Sequence, residues 1–129
     1  MAEEDLIVVI DDDDFVVDAI RTILELWGFR VATARCADDD CPDFVRLADP
    51  GADRPVLIVS DYRLPRSVTG LDAIDRLRAT FGAEIPAVLL TGNSGDQLPG
   101  LDERGIVHLL KPVEAADLKQ VIADLVPDA

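Results

Sequence analysis

Soft metal ligands are scarce in this chain, whose 129 residues hold two cysteines and one histidine. Cys36 and Cys41 form no CxxC pair and have no further Cys or His beside them. A zinc site or a disulfide framework is therefore not expected, and both thiols read as reduced. No apolar run approaches the roughly 20 residues that span a bilayer. The N-terminal Met1-Ala2-Glu3-Glu4-Asp5 is acidic where a secretory signal would be basic, so a cytoplasmic location is expected. Basic residues are short as well: 12 Lys and Arg against 26 Asp and Glu leave a formal charge of −14. That balance argues against nucleic acid and against an anionic membrane as partners. Internal repeats and low-complexity linkers are missing too, which points to one domain over residues 1–129.

What is present is a regular alternation of apolar runs and amphipathic stretches. LIVVI at 6–10 reads as a buried strand from its β-branched content. Phe15, Ala19, Ile20, Ile23, Leu24 and Trp27 then form one helical stripe over 14–27, and Gly28 stops it. RVATA at 30–34 reads as a short strand, and 41–48 as a short helix with Pro42 in its first turn. VLIVS at 56–60 is apolar enough for a central strand, followed by a helix over 71–81. AVLL at 87–90 and IVHLL at 106–110 complete the strands. A helix over 95–104 is interrupted by Pro99-Gly100, and a last helix spans 114–125. Five strand–helix units imply a doubly wound parallel α/β sheet covered on both faces. Right-handed crossovers put every strand-to-helix loop at one edge, where such sheets bind ligands.

The first residues after the strands are Asp11-Asp12-Asp13-Asp14, Asp61, Thr91 and Lys111-Pro112. Taken singly, each has an ordinary explanation. Asp13 fits a helix N-cap, Asp61 a turn, Thr91 a strand end and Lys111 a solvated charge. Together they aim carboxylates, a hydroxyl and an ammonium at one place. Two carboxylates about 4–5 Å apart repel by roughly 3–4 kcal/mol at an effective dielectric near 20. A marginally stable domain needs something to offset that. Lys111 supplies one positive charge, and a hard divalent cation, Mg²⁺ or Mn²⁺, supplies two more. Beside such an ion, the Asp61 carboxylate can attack phosphorus and form an acyl phosphate, with Lys111 and Thr91 on the phosphoryl oxygens.

At these residues, VVIDDDD with a helix running to WGF, then VSDYRLP, VLLTG and HLLKP, the sequence resembles a response-regulator receiver domain of two-component signalling. The resemblance covers Leu6 to about Val126. It implies a flavodoxin-like (βα)5 fold with strand order 2-1-3-4-5. It also implies Asp61 as phosphoacceptor, with Mg²⁺ (or Mn²⁺) held by Asp11, Asp12, Asp61 and the backbone carbonyl of Arg63. Thr91 and Lys111 would be the hydroxyl and amine of the site, and Lys111–Pro112 a cis peptide. Thr91 and His108 would form the switch, His108 standing where the family carries an inward-turning Tyr or Phe. The loop from Asp61 to Gly70 is one residue longer than in many members. The implied donor is a phosphohistidine on a histidine kinase or a phosphotransfer domain. The chain would be no enzyme beyond taking up and losing its own phosphoryl group. The wording resembles receivers fused to hybrid sensor histidine kinases, and a free-standing regulator is equally compatible. Dimerisation through the last two helices is compatible too, no DNA-binding output domain is expected to follow, and Arg63 and Asn93 flank the site as candidates to tune phosphoryl lifetime.

Three other readings are weighed. A pseudo-receiver interaction module would lack one of the acidic, Thr or Lys positions, and all are here. A haloacid-dehalogenase-like phosphatase would use Asp11, Thr91 and Lys111, but no acidic pair follows the lysine and Asp61 would have no role. An FMN binder would cradle phosphate with Ser, Thr and Gly after the first strand, where four aspartates stand. The acidic run Asp38-Asp39-Asp40 reads as a solvated loop near the same edge that weakens binding of anionic partners.

Overall fold

The computed structural model describes residues 5–92 and 100–126. In chain order the elements are β1 (Leu6–Ile10), α1 (Asp14–Leu26), β2 (Arg30–Ala34), α2 (Pro42–Leu47), β3 (Leu57–Asp61), α3 (Gly70–Phe81), β4 (Ala87–Thr91), β5 (Ile106–Leu110) and α4 (Ala115–Leu125). All strands pair in parallel, in the order β2-β1-β3-β4-β5. The expected fold class and strand order are thus observed.

Period-two alternation divides the strands between two cores. Val8, Ile10, Ile58, Ala87 and Leu89 pack with Phe44 of α2 and with Ala73, Ile74 and Leu77 of α3. Ile7, Val9, Leu57, Val59, Val88 and Leu90 pack with Ile20 and Leu24 of α1 and with Leu118 and Ile122 of α4. Each fully buried Ile or Leu stabilises by about 1.5–3 kcal/mol, so the central strands carry much of the apolar stabilisation of the fold. Their register aligns the carboxyl ends: Ile10 pairs with Ala34 and Ser60, Asp61 with Leu90, and Thr91 with Leu110.

Four expectations are corrected. Phe15, placed in the buried stripe of α1, is 87% exposed, and Val17 takes the inward position with Ile20 and Leu24. The helix starts at Asp14, so Phe15 sits in the first turn, beyond the sheet edge. The third strand runs one residue further than expected and includes Asp61, because the ladder continues through Tyr62 N–H to Leu90 O at 2.8 Å. Cys36 and Cys41 are not free thiols but a disulfide, with Cα atoms 6.0 Å apart. The chain folds back between them through an Asx turn, Asp40 N–H to Asp38 Oδ1 at 2.9 Å, and a backbone bond from Cys41 N–H to Asp38 O at 3.0 Å. Spacing alone does not reveal that reversal. The acidic run is not simply solvated either, since Asp38 and Asp39 are paired with Arg66 and Arg76. Of the helix expected over 95–104, residues 95–99, including Pro99, lie outside the described residues, as does Asn93. Asp102–Arg104 form one 3-10 turn.

Candidate acidic site at the sheet edge

Asp11 follows β1, where its backbone N–H still donates to Ala34 O at 3.1 Å. Its side chain is fully buried. Oδ1 accepts the Asp13 N–H at 2.9 Å, which turns the chain into α1, and Asp13 caps that helix by accepting the Phe15 N–H at 2.9 Å. The expected N-cap is thus observed. Asp12, between them, is exposed. Asp61 ends β3 with 11% of its side-chain surface open. One ligand oxygen from each of Asp11, Asp12 and Asp61 lies within 4.8 Å of the others.

Lys111 is brought in by β5, its N–H donating to Thr91 O at 2.7 Å. Its Nζ stands 2.8 Å from Asp11 Oδ2 and 3.4 Å from Asp61 Oδ1. Lys111–Pro112 is cis, as the resemblance implies. The two partners titrate in a way that fits this crowding. Burial pushes the Asp61 carboxyl above the usual carboxylate value; Asp11 adds to the rise, Lys111 opposes it, and Asp12 adds a little more. Burial pulls the Lys111 ammonium down, but the close contact and charge of Asp11, joined by Asp61, outweigh it and hold the amine above the usual lysine value.

The site is short of positive charge. Asp11 Oδ2 is buried and makes no hydrogen bond of proper geometry; the Lys111 contact at 2.8 Å is an ion pair off the bonding direction. A buried carboxylate oxygen with a lone pair to spare, beside two further carboxylates, is a donor set that suits a hard divalent cation. The residues present therefore fit Mg²⁺ or Mn²⁺.

Thr91 ends β4, buried, and its Oγ1 shares a 2.6 Å hydrogen bond with Nε2 of His108 on the neighbouring strand. His108 is exposed, not turned inward. Arg63 is exposed on the loop after Asp61, where its backbone bridges Thr69. Two features were not read from the sequence. The first is Gly70: a Cβ there would lie 2.4 Å from Asp61 O and 2.6 Å from Leu89 Cδ1, so α3 can start beside the acidic residue only on a glycine. The capping box of Thr69 with Asp72 fixes that start, and T-x-x-D before an apolar stretch is a signal that could have found it. The second is the Asp38–Arg66 pair between the loops after β2 and β3, for which the sequence holds no local signal.

The family model for the response regulator receiver domain matches residues 7–123. Over 110 residues, 84% of this chain, the sequence is 33% identical to the transcriptional regulatory protein AfsQ1 of Streptomyces coelicolor, covering 45% of that protein. It is 32% identical over 115 residues, 87% of this chain, to the response regulator MprA of Mycobacterium avium, covering 46% of it. The chain thus spans about half the length of these curated relatives. A response regulator receiver protein from Pseudomonas putida superposes with a TM-score of 0.74 at 27% identity, with all of both chains covered. The CheY-like receiver domain from Methanospirillum hungatei, at a TM-score of 0.79 and 21% identity over 98% of this chain and 96% of that one, shares the fold.

Proposed function

From the premise that this chain belongs to the response regulator receiver domain family, a signalling rather than a classical enzyme family, we propose that Asp61 is its phosphoacceptor. The observation that carries the assignment is the convergence of the Asp11, Asp12 and Asp61 oxygens within 4.8 Å, with Lys111 Nζ against two of them. A purely structural edge gains nothing from that repulsion.

The reaction follows from the residues. An Asp61 oxygen attacks the phosphorus of a phosphohistidine, the P–N bond breaks, and the imidazole leaves with the electron pair and takes a proton. Asp61 then carries an acyl phosphate. Lys111 stands beside Asp61 Oδ1, where its ammonium neutralises a phosphoryl oxygen. Asp11 and Asp12, with Asp61 and the backbone carbonyl of Arg63, are the residues that would hold Mg²⁺ or Mn²⁺. When bound, the ion supplies the positive charge that lets a dianion approach three carboxylates. Water attack at the same phosphorus returns the free carboxylate.

Thr91 and His108 form the switch in this reading. The Thr91 hydroxyl is engaged with His108 Nε2 in the described state. Turning it toward a phosphoryl oxygen on Asp61 gives up that bond and frees the ring. The β4–β5 surface thus has two arrangements that phosphorylation biases. The donor class is a histidine kinase or phosphotransfer domain. Among the described residues no helix is long and apolar enough to cross a membrane, and the reading places the domain in the cytoplasm beside its donor. The parent protein is a free-standing regulator, a receiver fused to a hybrid histidine kinase, or a regulator with an output domain. A regulator with an output domain is the reading the curated relatives favour, since one of them is named a transcriptional regulatory protein.

Incubation with acetyl phosphate, with and without Mg²⁺, tests the assignment by intact mass. One phosphoryl group is expected on the wild type with Mg²⁺, and none on Asp61→Asn. An Asp61→Asn protein that still gains one phosphoryl group overturns it.

A further inference from the structure

The Cys36–Cys41 disulfide takes no part in the phosphoryl chemistry, yet it closes a loop that reaches into the segment after Asp61. Between the cysteines stand Asp38, Asp39 and Asp40, three consecutive carboxylates. Asp38 accepts from Arg66 Nε at 2.5 Å and from Arg66 Nη2 at 3.0 Å. Asp39 lies 2.9 Å from Arg76 Nη1 of α3. Arg66 (φ 61°) and Ser67 (φ 62°) both hold left-handed backbone without being glycine. Such residues stay there only when their surroundings hold them. The turn's own backbone bonds from Leu64 N–H to Val68 O at 3.0 Å and from Val68 N–H to Pro65 O at 3.4 Å supply part of that hold, and the bonded loop adds the Asp38 contact to Arg66, which follows Asp61 and Arg63 on the same short connection to α3.

We infer that Cys36–Cys41 is a reversible thiol–disulfide site whose oxidised form keeps Asp38 on Arg66 and so orders the segment beside Asp61. The inference rests on the phosphoacceptor reading for its consequence, though not for its chemistry. Two observations favour a reversible site over a permanent staple. The bond joins residues close in sequence, and such short closures constrain the unfolded chain less than long ones do, so its effect is chiefly on the loop itself. Cys41 is buried against the core while Cys36 is only partly buried, so Cys36 is the half of the pair nearer to solvent. In a reducing compartment a bond of this kind is a transient, sensing one.

The exchange partner is a dithiol of low molecular weight or a dithiol oxidoreductase. Its thiolate attacks Cys36 Sγ, the S–S bond breaks, and Cys41 leaves as a thiolate and takes a proton. The second thiol of the partner then displaces Cys36 from the mixed disulfide. Two electrons pass to the cysteines, and the partner ends as a disulfide. Oxidation runs the same steps in reverse. In the reduced form Asp38 is no longer tied, and its exposed pairing with Arg66 weakens.

The test compares oxidised and dithiothreitol-reduced full chain, the dithiol being removed under nitrogen. Maleimide labelling, read by intact mass, should find no thiol in the first and both cysteines in the second. Hydrogen exchange over residues 62–69 should be faster in the reduced form. Its uptake of phosphoryl from acetyl phosphate with Mg²⁺ should be slower by roughly twofold to tenfold. The Cys36→Ser/Cys41→Ser protein should behave as the reduced form and ignore dithiothreitol, and in Arg66→Ala the two redox forms should have the same rate. Cysteines that resist dithiothreitol in the folded protein, or equal exchange and equal uptake in the two forms, overturn the inference while leaving Asp61 as acceptor. If neither form takes up phosphoryl, the phosphoacceptor reading fails instead, and hydrogen exchange still decides the cysteine site.

Discussion

At the scale of single residues, the acidic edge holds charge that its surroundings disfavour. Asp61 is raised by burial and by Asp11, so its ionised form is less stable folded than unfolded. The sign follows directly: the penalty is full above the raised folded value, shrinks as pH falls through it, and is gone below the unfolded value, where both forms are protonated. Metal-free Asp61→Asn should therefore exceed the wild type in stability at neutral pH by about 1 kcal/mol, with the gap closing in acid. Urea titrations across pH measure it. Lys111 runs the other way. Its folded value is raised, so the stability it contributes is whole below the unfolded value and is lost as pH rises through the folded one. Lys111→Ala should cost roughly 1–3 kcal/mol without metal, because Asp11 then keeps a buried charge with no counterion. Added Mg²⁺ should recover part of that loss, and thermal unfolding with and without the ion checks it. His108 stands where the family carries a ring that turns inward on activation, and here an exposed ring bonded to Thr91 is observed.

At the scale of elements, the start of α3 sets where Asp61 sits. Gly70 N–H donates to Tyr62 O at 2.8 Å, which draws the helix against the end of β3. Gly70→Ala puts a methyl group into Asp61 O, and should cost about 1–3 kcal/mol and slow phosphoryl uptake. Thr69→Ala removes the capping box and should cost about 1 kcal/mol while leaving Asp61 in place, since the loss falls on helix ends alone. Chemical denaturation ranks the two. The central strands were legible in the sequence because apolar runs buried on both faces need no partner to be recognised. Phe15 was misplaced because helical periodicity does not say where the sheet beneath a helix ends. The disulfide and the Asp38–Arg66 pair were not legible at all. Both depend on how two loops fold back, and loops carry no period.

At the scale of the whole molecule, one parallel sheet delivers residues far apart in sequence to one edge. Register does the work: Ile10 pairs with Ser60, Asp61 with Leu90 and Thr91 with Leu110, so the strands end close together and Asp11, Asp61, Thr91 and Lys111 emerge at one edge. That much follows from strand alternation and crossover handedness alone, which is why the acidic site is readable in the sequence and its restraining loops are not. The central claim is that this edge makes Asp61, and no other carboxylate, the acceptor. Borohydride reduction of the phosphorylated chain, followed by peptide mass mapping, tests it most directly, since an aspartyl phosphate is reduced to homoserine. Homoserine at position 61, dependent on Mg²⁺, is the expected result; homoserine at position 11 or 12, or at none, contradicts the account.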